Sequence, residues 1–279
     1  MFMETLQNKI DFALIFKVKN ANPNGDPLGG NRPRTTSDGF GEVSDVCLKR
    51  KIRNRLQEFG KEIFVQMDDN NKDGKKSLSE RFNDFLLDLS NDERKNKDTI
   101  STKACEKWID VRSFGQVFAF KKTKNTSEVS IGVRGPVTIQ SAFSIEPIII
   151  ESIQITKSVN SEPTSDGKKS SDTMGMKHRV NNAVYVTYGS ISPQLAQKTG
   201  FSDTDAIAIK EALVSLFEGD ESSARPSGSM QVLKVVWFTH NNKSGQYSSA
   251  KVHNSVKVDL YGNVTIEPLD GLQVEILEG

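Results

Sequence analysis

Near its start the chain runs from a strand straight into a long polar loop. DFALIFKVKN (Asp11 to Asn20) puts Phe12, Leu14, Phe16 and Val18 on one face and Ala13 and Ile15 on the other, the period of two expected of a strand. NANPNGDPLGGNRPRT (Asn20 to Thr35) then carries three Pro, three Gly, five Asn or Asp and two Arg. Plain connections inside a domain are short, so a loop of this length is functional or disordered. Cations gather around it. Lys17 to Arg55 holds nine Lys or Arg against four Asp or Glu, in a chain of formal charge +1. Such a local excess marks a place where something negative sits. The C-terminal stretch is the reverse: Glu267 to Glu278 has four acids and no base.

SDVCLKRKIRNRLQEFG (Ser44 to Gly60) reads as a helix, with Ser44 as N-cap, Asp45 in the first turn and Gly60 at its end. Leu48, Ile52 and Leu56 form a buried stripe at spacing four, and Lys49, Arg50, Lys51, Arg53 and Arg55 take the remaining surface. Five cations in seven residues are not expected all to be paired internally, because no acid lies three or four positions from Lys51. Backbone N–H groups of a Gly-rich loop, together with Arg32, Arg34 and the helix cations, suit phosphate oxygens. Loop and helix therefore read as one wall of a polyanion site.

The 279 residues suit one large domain or a domain with sizeable insertions. Residues 61–110 read as an insertion, with EIFVQM as a strand and SERFNDFLLDL as a helical patch. DVRSFGQVFAF (110–120) and SIGVRGPVTIQSAFSIEPIII (130–150) each read as a strand, and 157–182 as a polar interruption. AVYVTYGSIS (183–192), QVLKVVWFTH (231–240), SVKVDLYG (255–262) and LQVEIL (272–277) also read as strands. SDTDAIAIKEALVSLFEG (202–219) reads as a helix, with Ser202 and Asp205 as a capping box. Without the insertions the order is strand, helix, strands, helix, strand. That order resembles the split βαβ, ferredoxin-like arrangement of RNA-recognition modules.

Several chemistries lack their residues. Two cysteines, Cys47 and Cys105, are too few for a disulfide framework and lack metal-ligand spacing. No apolar stretch reaches membrane-spanning length and no signal-peptide pattern opens the chain, so a soluble, cytoplasmic protein is expected. DNNKDGKKSLSE (Asp69 to Glu80) does match the calcium-loop pattern, with Asp69, Asn71, Asp73, Gly74, Ser77 and Glu80 at positions 1, 3, 5, 6, 9 and 12. Against it, Lys76 sits where a paired calcium loop needs an apolar residue, and no second loop exists to pair with it. His178, His240 and His253 are scattered; His178, beside Lys177 and Arg179, is placed to touch phosphate or to act as a general acid on RNA, but no paired His or Tyr is near it in sequence. Asp26, Asp38 and Asp45 could hold a metal for phosphodiester cleavage. Asp26 is more simply a turn residue and Asp45 a helix first-turn acid.

NPNGDPLGGNRPR followed by GEVSDVCLKRKIRNRL resembles the N-terminal signature of the backbone subunit of CRISPR Cascade complexes, the "Cas seven" or CRISPR negative autoregulator family, in its type I-C branch. DVRSFGQVFA, VRGPVTIQSAFSIEPI, DTMGMKHRVNNAVYVTYGSIS and VVWFTHNNKSG continue the resemblance over most of the chain. It implies an α+β fold: a modified ferredoxin-like (RRM-like) palm, a finger-like insertion at 61–110 and a protruding β-hairpin thumb at 157–182. It also implies copies stacked along a CRISPR RNA. The partners would be that guide, the target DNA strand, neighbouring copies and the other Cascade subunits, with no membrane. On the resemblance Asn22, Asn24, Arg32, Arg34, Ser44, Lys49, Arg50 and Arg53 face the guide in the palm. Arg134 precedes GPV, Lys177, His178 and Arg179 lie at the thumb's return, and Met174 or Met176 is the base wedge. No catalytic residue, metal or cofactor is expected. The alternatives are a metal-dependent RNA-cleaving backbone subunit of type III kind and a calcium-binding protein acting through Asp69–Glu80.

Overall fold

The computed structural model describes residues 4–120, 129–156 and 174–279. β1 (Ile10–Ala21) leads through the short strands β2 (Gly25–Asp26) and β3 (Arg32–Pro33) and then β4 (Phe40–Val43) into α1 (Asp45–Glu58). α2 (Leu78–Leu87), α3 (Lys97–Lys107) and α4 (Ile109–Phe114) follow, then the hairpin of β5 (Gly115–Phe120) and β6 (Val129–Arg134). β7 (Val137–Ile139), β8 (Ala142–Pro147), β9 (Ile150–Thr156) and the long β10 (Met174–Ile191) come next. The rest is α5 (Pro193–Thr199), α6 (Asp203–Val214), β11 (Met230–Thr239), α7 (Ser249–Asn254), β12 (Val256–Val258), β13 (Val264–Ile266) and β14 (Gln273–Glu278).

A mixed α/β architecture results, built on a central antiparallel sheet. Its order is β14-β11-β1-β10-β8-β4, with β7 and β9 also pairing β10. β1 is central because both of its faces are apolar. Phe12, Leu14, Phe16 and Val18 pack with Leu48, Ile52 and Leu56 of α1 and with Ile209 and Leu213 of α6. Ala13 and Ile15 pack on the other side with Val184, Val236, Phe238 and Val252 of α7. Each large side chain fully buried this way contributes roughly 1.5–3 kcal/mol. At Gly189 the sheet needs glycine, since a Cβ there would lie 2.2 Å from Phe12 Cζ and 2.5 Å from the Thr138 carbonyl oxygen.

A second core lies between Phe64 and Ile131. Phe64, Phe82, Phe85, Trp108 and Phe118 form a cluster of tilted and stacked rings with centroids 4.7–5.9 Å apart. The cluster continues past residue 110 to Phe118 and Ile131 of the β5–β6 hairpin.

Several local expectations fail for tertiary reasons. DVRSFG is not the start of a strand but helix α4, which ends at Gly115 with φ 79°. Its polar residues face protein: Asp110 is buried, and Arg112 reaches both carboxylate oxygens of Asp205 at 2.8 and 3.0 Å. EIFVQM is not a strand, because the Phe64 and Val65 N–H groups donate to Asp110 instead of to a neighbouring strand. The stretch 130–150 breaks into β6, β7, β8 and the start of β9, because the chain leaves the β5 hairpin at Gly135–Pro136 to join β10. The second long helix stops at Val214, and SVKVDLYG gives only the three residues of β12 before a turn capped by Asp259. Of the polar stretch 157–182, residues 157–173 lie outside the described residues and 174–182 are the first half of β10.

The scattered histidines are not all apart. Asp11, fully buried on β1, accepts a hydrogen bond from His240 Nε2 at 2.8 Å and pairs with Lys9 at 3.0 Å. His253 Nε2 donates to the Gly189 carbonyl at 3.1 Å and lies 3.6 Å from the second Asp11 oxygen. His240 Nδ1 accepts from the Gln246 N–H at 2.9 Å, so this ring is neutral with its proton on Nε2. Burial holds His253 below the ordinary imidazole pKa, although Asp11 opposes the shift. The unfolded chain therefore takes up this proton at a higher pH than the native one. His253 contributes stability above its unfolded pKa, and that contribution is lost as pH falls through the lower folded value. Urea midpoints measured from neutral pH downward should fall, and the fall should flatten in His253→Asn. An equal slope in both proteins refutes the assignment.

Candidate nucleic-acid groove

The long loop is ordered by its own asparagines. Asn22 is buried; its backbone N–H donates to the Ala224 carbonyl at 2.9 Å and its Nδ2 donates to the Asn31 carbonyl at 2.7 Å. Asn24 Oδ1 accepts from the Ser44 N–H at 3.0 Å and from Ser44 Oγ at 2.9 Å. Ser44 Oγ in turn accepts from the Cys47 N–H at 3.3 Å, capping α1. Between these pins the chain turns at Gly30 and Asn31, both left-handed at φ 66° and 57°, conformations that Gly and Asn adopt most readily. Asp26 caps the Pro27–Gly29 turn through the Leu28 N–H at 3.2 Å and sits 3.8 Å from Arg34. Arg34 Nε is buried without a partner.

This loop forms one wall of a groove of about 360 Å³. Asn22, Gly30 and Asn31 line that wall, Ile155 of β9 with Met176, Lys177 and His178 of β10 the facing ribbon, and Ser223 and Ala224 the end. The two walls are tied by side chains: Arg32 Nη1 donates to Ser152 Oγ at 3.1 Å, and Ser152 Oγ is 2.9 Å from His178 Nδ1. Loop and ribbon candidates far apart in sequence thus meet at one place. Met174 and Met176 project from one face of the ribbon and are more than half exposed. Arg179 is engaged across the ribbon with Glu151 at 2.8 Å. Lys177 has no ion-pair partner among the described residues.

The cations of α1 stand differently from expectation, for every one of the five has an acid beside it. Lys49 pairs with Asp45 at 2.9 Å and Arg53 with Asp110 at 3.0 Å. Lys51, wholly buried, contacts Asp220, and Arg50 lies 4.0 Å from the same carboxylate. Arg55 contacts Glu58 and reaches Glu218 at 3.2 Å. Burial pushes the Lys51 ammonium below its usual pKa, with Asp220 opposing. Arg53 also stacks its guanidinium over Phe114 at 5.1 Å and ties α1 to α4 rather than lining the groove. Arg134 is exposed at the end of β6, opposite Gly115, and lines no part of the groove.

The calcium-like loop is internally engaged. Asp73 binds the Arg81 guanidinium at 2.5 and 2.9 Å, and that contact holds its carboxyl below the usual pKa. Asn71 Oδ1 accepts from the Asp73 and Gly74 N–H groups, and Glu80 accepts from the Lys76 N–H at 2.8 Å. Among the described residues no group of three or more His, Cys, Asp or Glu is arranged to hold a metal ion. A separate cavity of about 340 Å³ lies beside Arg81 and Trp108; Asp73 of the calcium-like loop lines it, and none of the expected RNA-binding residues does. Among the described residues no helix is long and apolar enough to cross a membrane.

Sequence reasoning missed Asn31, Ser152, Ser223, Ala224, Asp110, Asp220 and Arg225. Asn31 lay inside the quoted loop. Ser152, Ala224, Asp110 and Asp220 carry no local signal, since each has a partner tens of residues away or more, and Arg225 is held by Asp220, five residues before it.

The family model described as CRISPR-associated protein Cas7 matches residues 8–275. The chain belongs to that family. The CRISPR-associated protein Cas7 of Haloferax volcanii is 24% identical over 213 residues, 72% of this chain and 62% of its own length. The chain thus spans about three fifths of that relative. Two solved structures are similar at 17% identity. One, titled "CRISPR RNA-guided surveillance complex, pre-nicking", has a TM-score of 0.49 over 82% of this chain and 78% of that one. The other, "CRISPR RNA-guided surveillance complex", has 0.45 over 82% and 68%. In this Cas7 family member the quoted loop and the return strand, which carried the resemblance, are the two walls of the groove.

Proposed function

We propose that this Cas7 family protein is the CRISPR RNA-binding backbone subunit of a type I surveillance complex, of the I-C branch. Copies polymerise along the guide and, with the other Cascade subunits, present it to the target DNA strand. The observation that carries the reading is the groove itself, where Arg32, Lys177 and His178 meet the pinned backbone of a Gly-rich loop. Cationic side chains and backbone N–H groups together suit a phosphodiester chain. The palm reads as RRM-like, supported by the antiparallel order β11-β1-β10-β8 with α1 and α6 packed on one face. The ribbon of β9 and β10 is the base of the thumb, residues 61–110 belong to the finger, and exposed Met174 and Met176 suit a wedge between bases. The type I-C assignment rests on the motif resemblance, and a cytoplasmic location accompanies it.

The test is binding of labelled single-stranded RNA over a range of salt. Arg32→Ala/Lys177→Ala should weaken binding roughly 100-fold, at about tenfold per charge-assisted contact, equally for all sequences. The slope of log affinity against log salt should flatten by about 1.4, two single-stranded contacts' worth. Unchanged affinity and slope in a folded double variant reject the reading. The subunit is also proposed to be non-catalytic, because Asp26, the acid expected of a type III site, is engaged as a turn cap. Magnesium-dependent cleavage of complementary RNA that disappears in Asp26→Ala would overturn this.

A further inference from the structure

Beyond the end of the groove, one carboxylate gathers three cations. Asp220 contacts buried Lys51, accepts from Arg225 Nε at 2.8 Å and lies 4.0 Å from Arg50 Nη2. Arg225 is fixed there twice, since Nε also approaches the Asp220 backbone oxygen at 3.3 Å. Among the described residues its terminal amino groups make no hydrogen bond, and neither does any part of the Arg50 guanidinium. Both side chains reach solvent, at 38% exposure for Arg50 and 21% for Arg225. Asp220 is only 10% exposed, so it is the anchor rather than the outward face. Glu221 lines the same shallow depression and lowers the local excess from two positive charges to one. The Arg225 guanidinium, fixed through Nε with its terminal donors unused, and the Arg50 guanidinium beside it match the oxygens of a phosphate.

The position adds the second argument. Ser223 and Ala224, which close the groove, immediately precede Arg225. The tight turn Ser222–Arg225, held by reciprocal backbone hydrogen bonds at 2.9 and 3.0 Å, carries both the groove wall and the guanidinium. The Ala224 carbonyl takes the Asn22 N–H, so the turn is locked to the loop as well. Arg225 is therefore the residue that follows the groove lining on this turn.

We propose that Arg225 and Arg50, oriented by Asp220, form a second phosphate seat at the rim of the groove for the same RNA strand. This rests on the RNA-binding reading above and extends it to a residue on the far side of the fold in sequence. The full chain is titrated with labelled single-stranded RNA at several salt concentrations. Arg225→Gln should bind about tenfold more weakly at low salt, and its salt slope should flatten by about 0.7, the value for one single-stranded phosphate contact. Arg225→Lys should recover the slope but only part of the affinity, because it keeps the charge and loses the fork. Arg50→Gln, which leaves the Asp220–Lys51–Arg225 contacts intact, should flatten the slope independently and guards against a folding defect in the first variant. Wild-type affinity and slope in both glutamine variants, with Arg32→Ala/Lys177→Ala still impaired, overturn the seat and leave the RNA reading standing. Absence of RNA binding by the wild type overturns both. Unchanged RNA slopes with weakened self-association would assign the two arginines to an acidic protein surface, and would also overturn the proposal.

Discussion

Replacing Asp220 by Ala should cost roughly 3–5 kcal/mol of stability, the range for removing one partner of a buried ion pair. Lys51 is fully buried and the Asp220 carboxylate is its acid partner. Without it the ammonium must shed its proton or draw water into the core between α1 and α6. The loss should deepen as pH falls, because the unfolded chain then binds a proton that the folded chain refuses. Arg225 and Arg50 lose their anchor at the same time, and the turn that closes the groove loosens with them. The pair is asymmetric. Lys51→Met/Asp220→Ala removes the stranded charge and should recover most of the loss, since well-packed apolar replacements of buried ion pairs are often neutral or better. Thermal melts of the three proteins across pH check this. A melting point for Asp220→Ala within about 2 °C of wild type, roughly one kcal/mol at this size, would count decisively against it.

Asp110→Ala should be of similar size for a different reason. This buried carboxylate accepts from the Phe64 N–H at 2.8 Å, the Val65 N–H at 3.0 Å and Arg53 Nε at 3.0 Å. Alanine leaves two backbone donors without partners, each costing about 1–3 kcal/mol where water does not reach. It also leaves Arg53, only 13% exposed, without its counter-ion. The sum is roughly 3–5 kcal/mol, a fall of about 5–9 °C in melting temperature. Trp108 packs in the second, aromatic core, so its near-ultraviolet signal should be lost before the far-ultraviolet signal of the main sheet. Asp110→Asn keeps one acceptor oxygen and should lose less. A single transition at the wild-type temperature in Asp110→Ala would disprove the role.

These two acids show where reading the chain as a string runs out. The alternation in Asp11–Asn20 determined a strand with two apolar faces, and Leu48, Ile52 and Leu56 determined the buried stripe of α1, because both periodicities are set within one element. The Ser202–Asp205 capping box was legible for the same reason. So was the polar loop, whose Gly and Asn residues meet their own backbone demands locally. The fate of the α1 cations was not. Asp110 and Asp220 lie 57 and 169 positions from the residues they neutralise, and only the packed fold brings such charges within a few ångströms. DVRSFG became a helix rather than a strand through the same long-range bonds. The groove combines both kinds of information. Its cationic and glycine-rich parts were determined by residue type alone. Their meeting through Ser152, and the closure of one end by Ser223 and Ala224, were decided by strand register and by a turn that the sheet places beside Asn22.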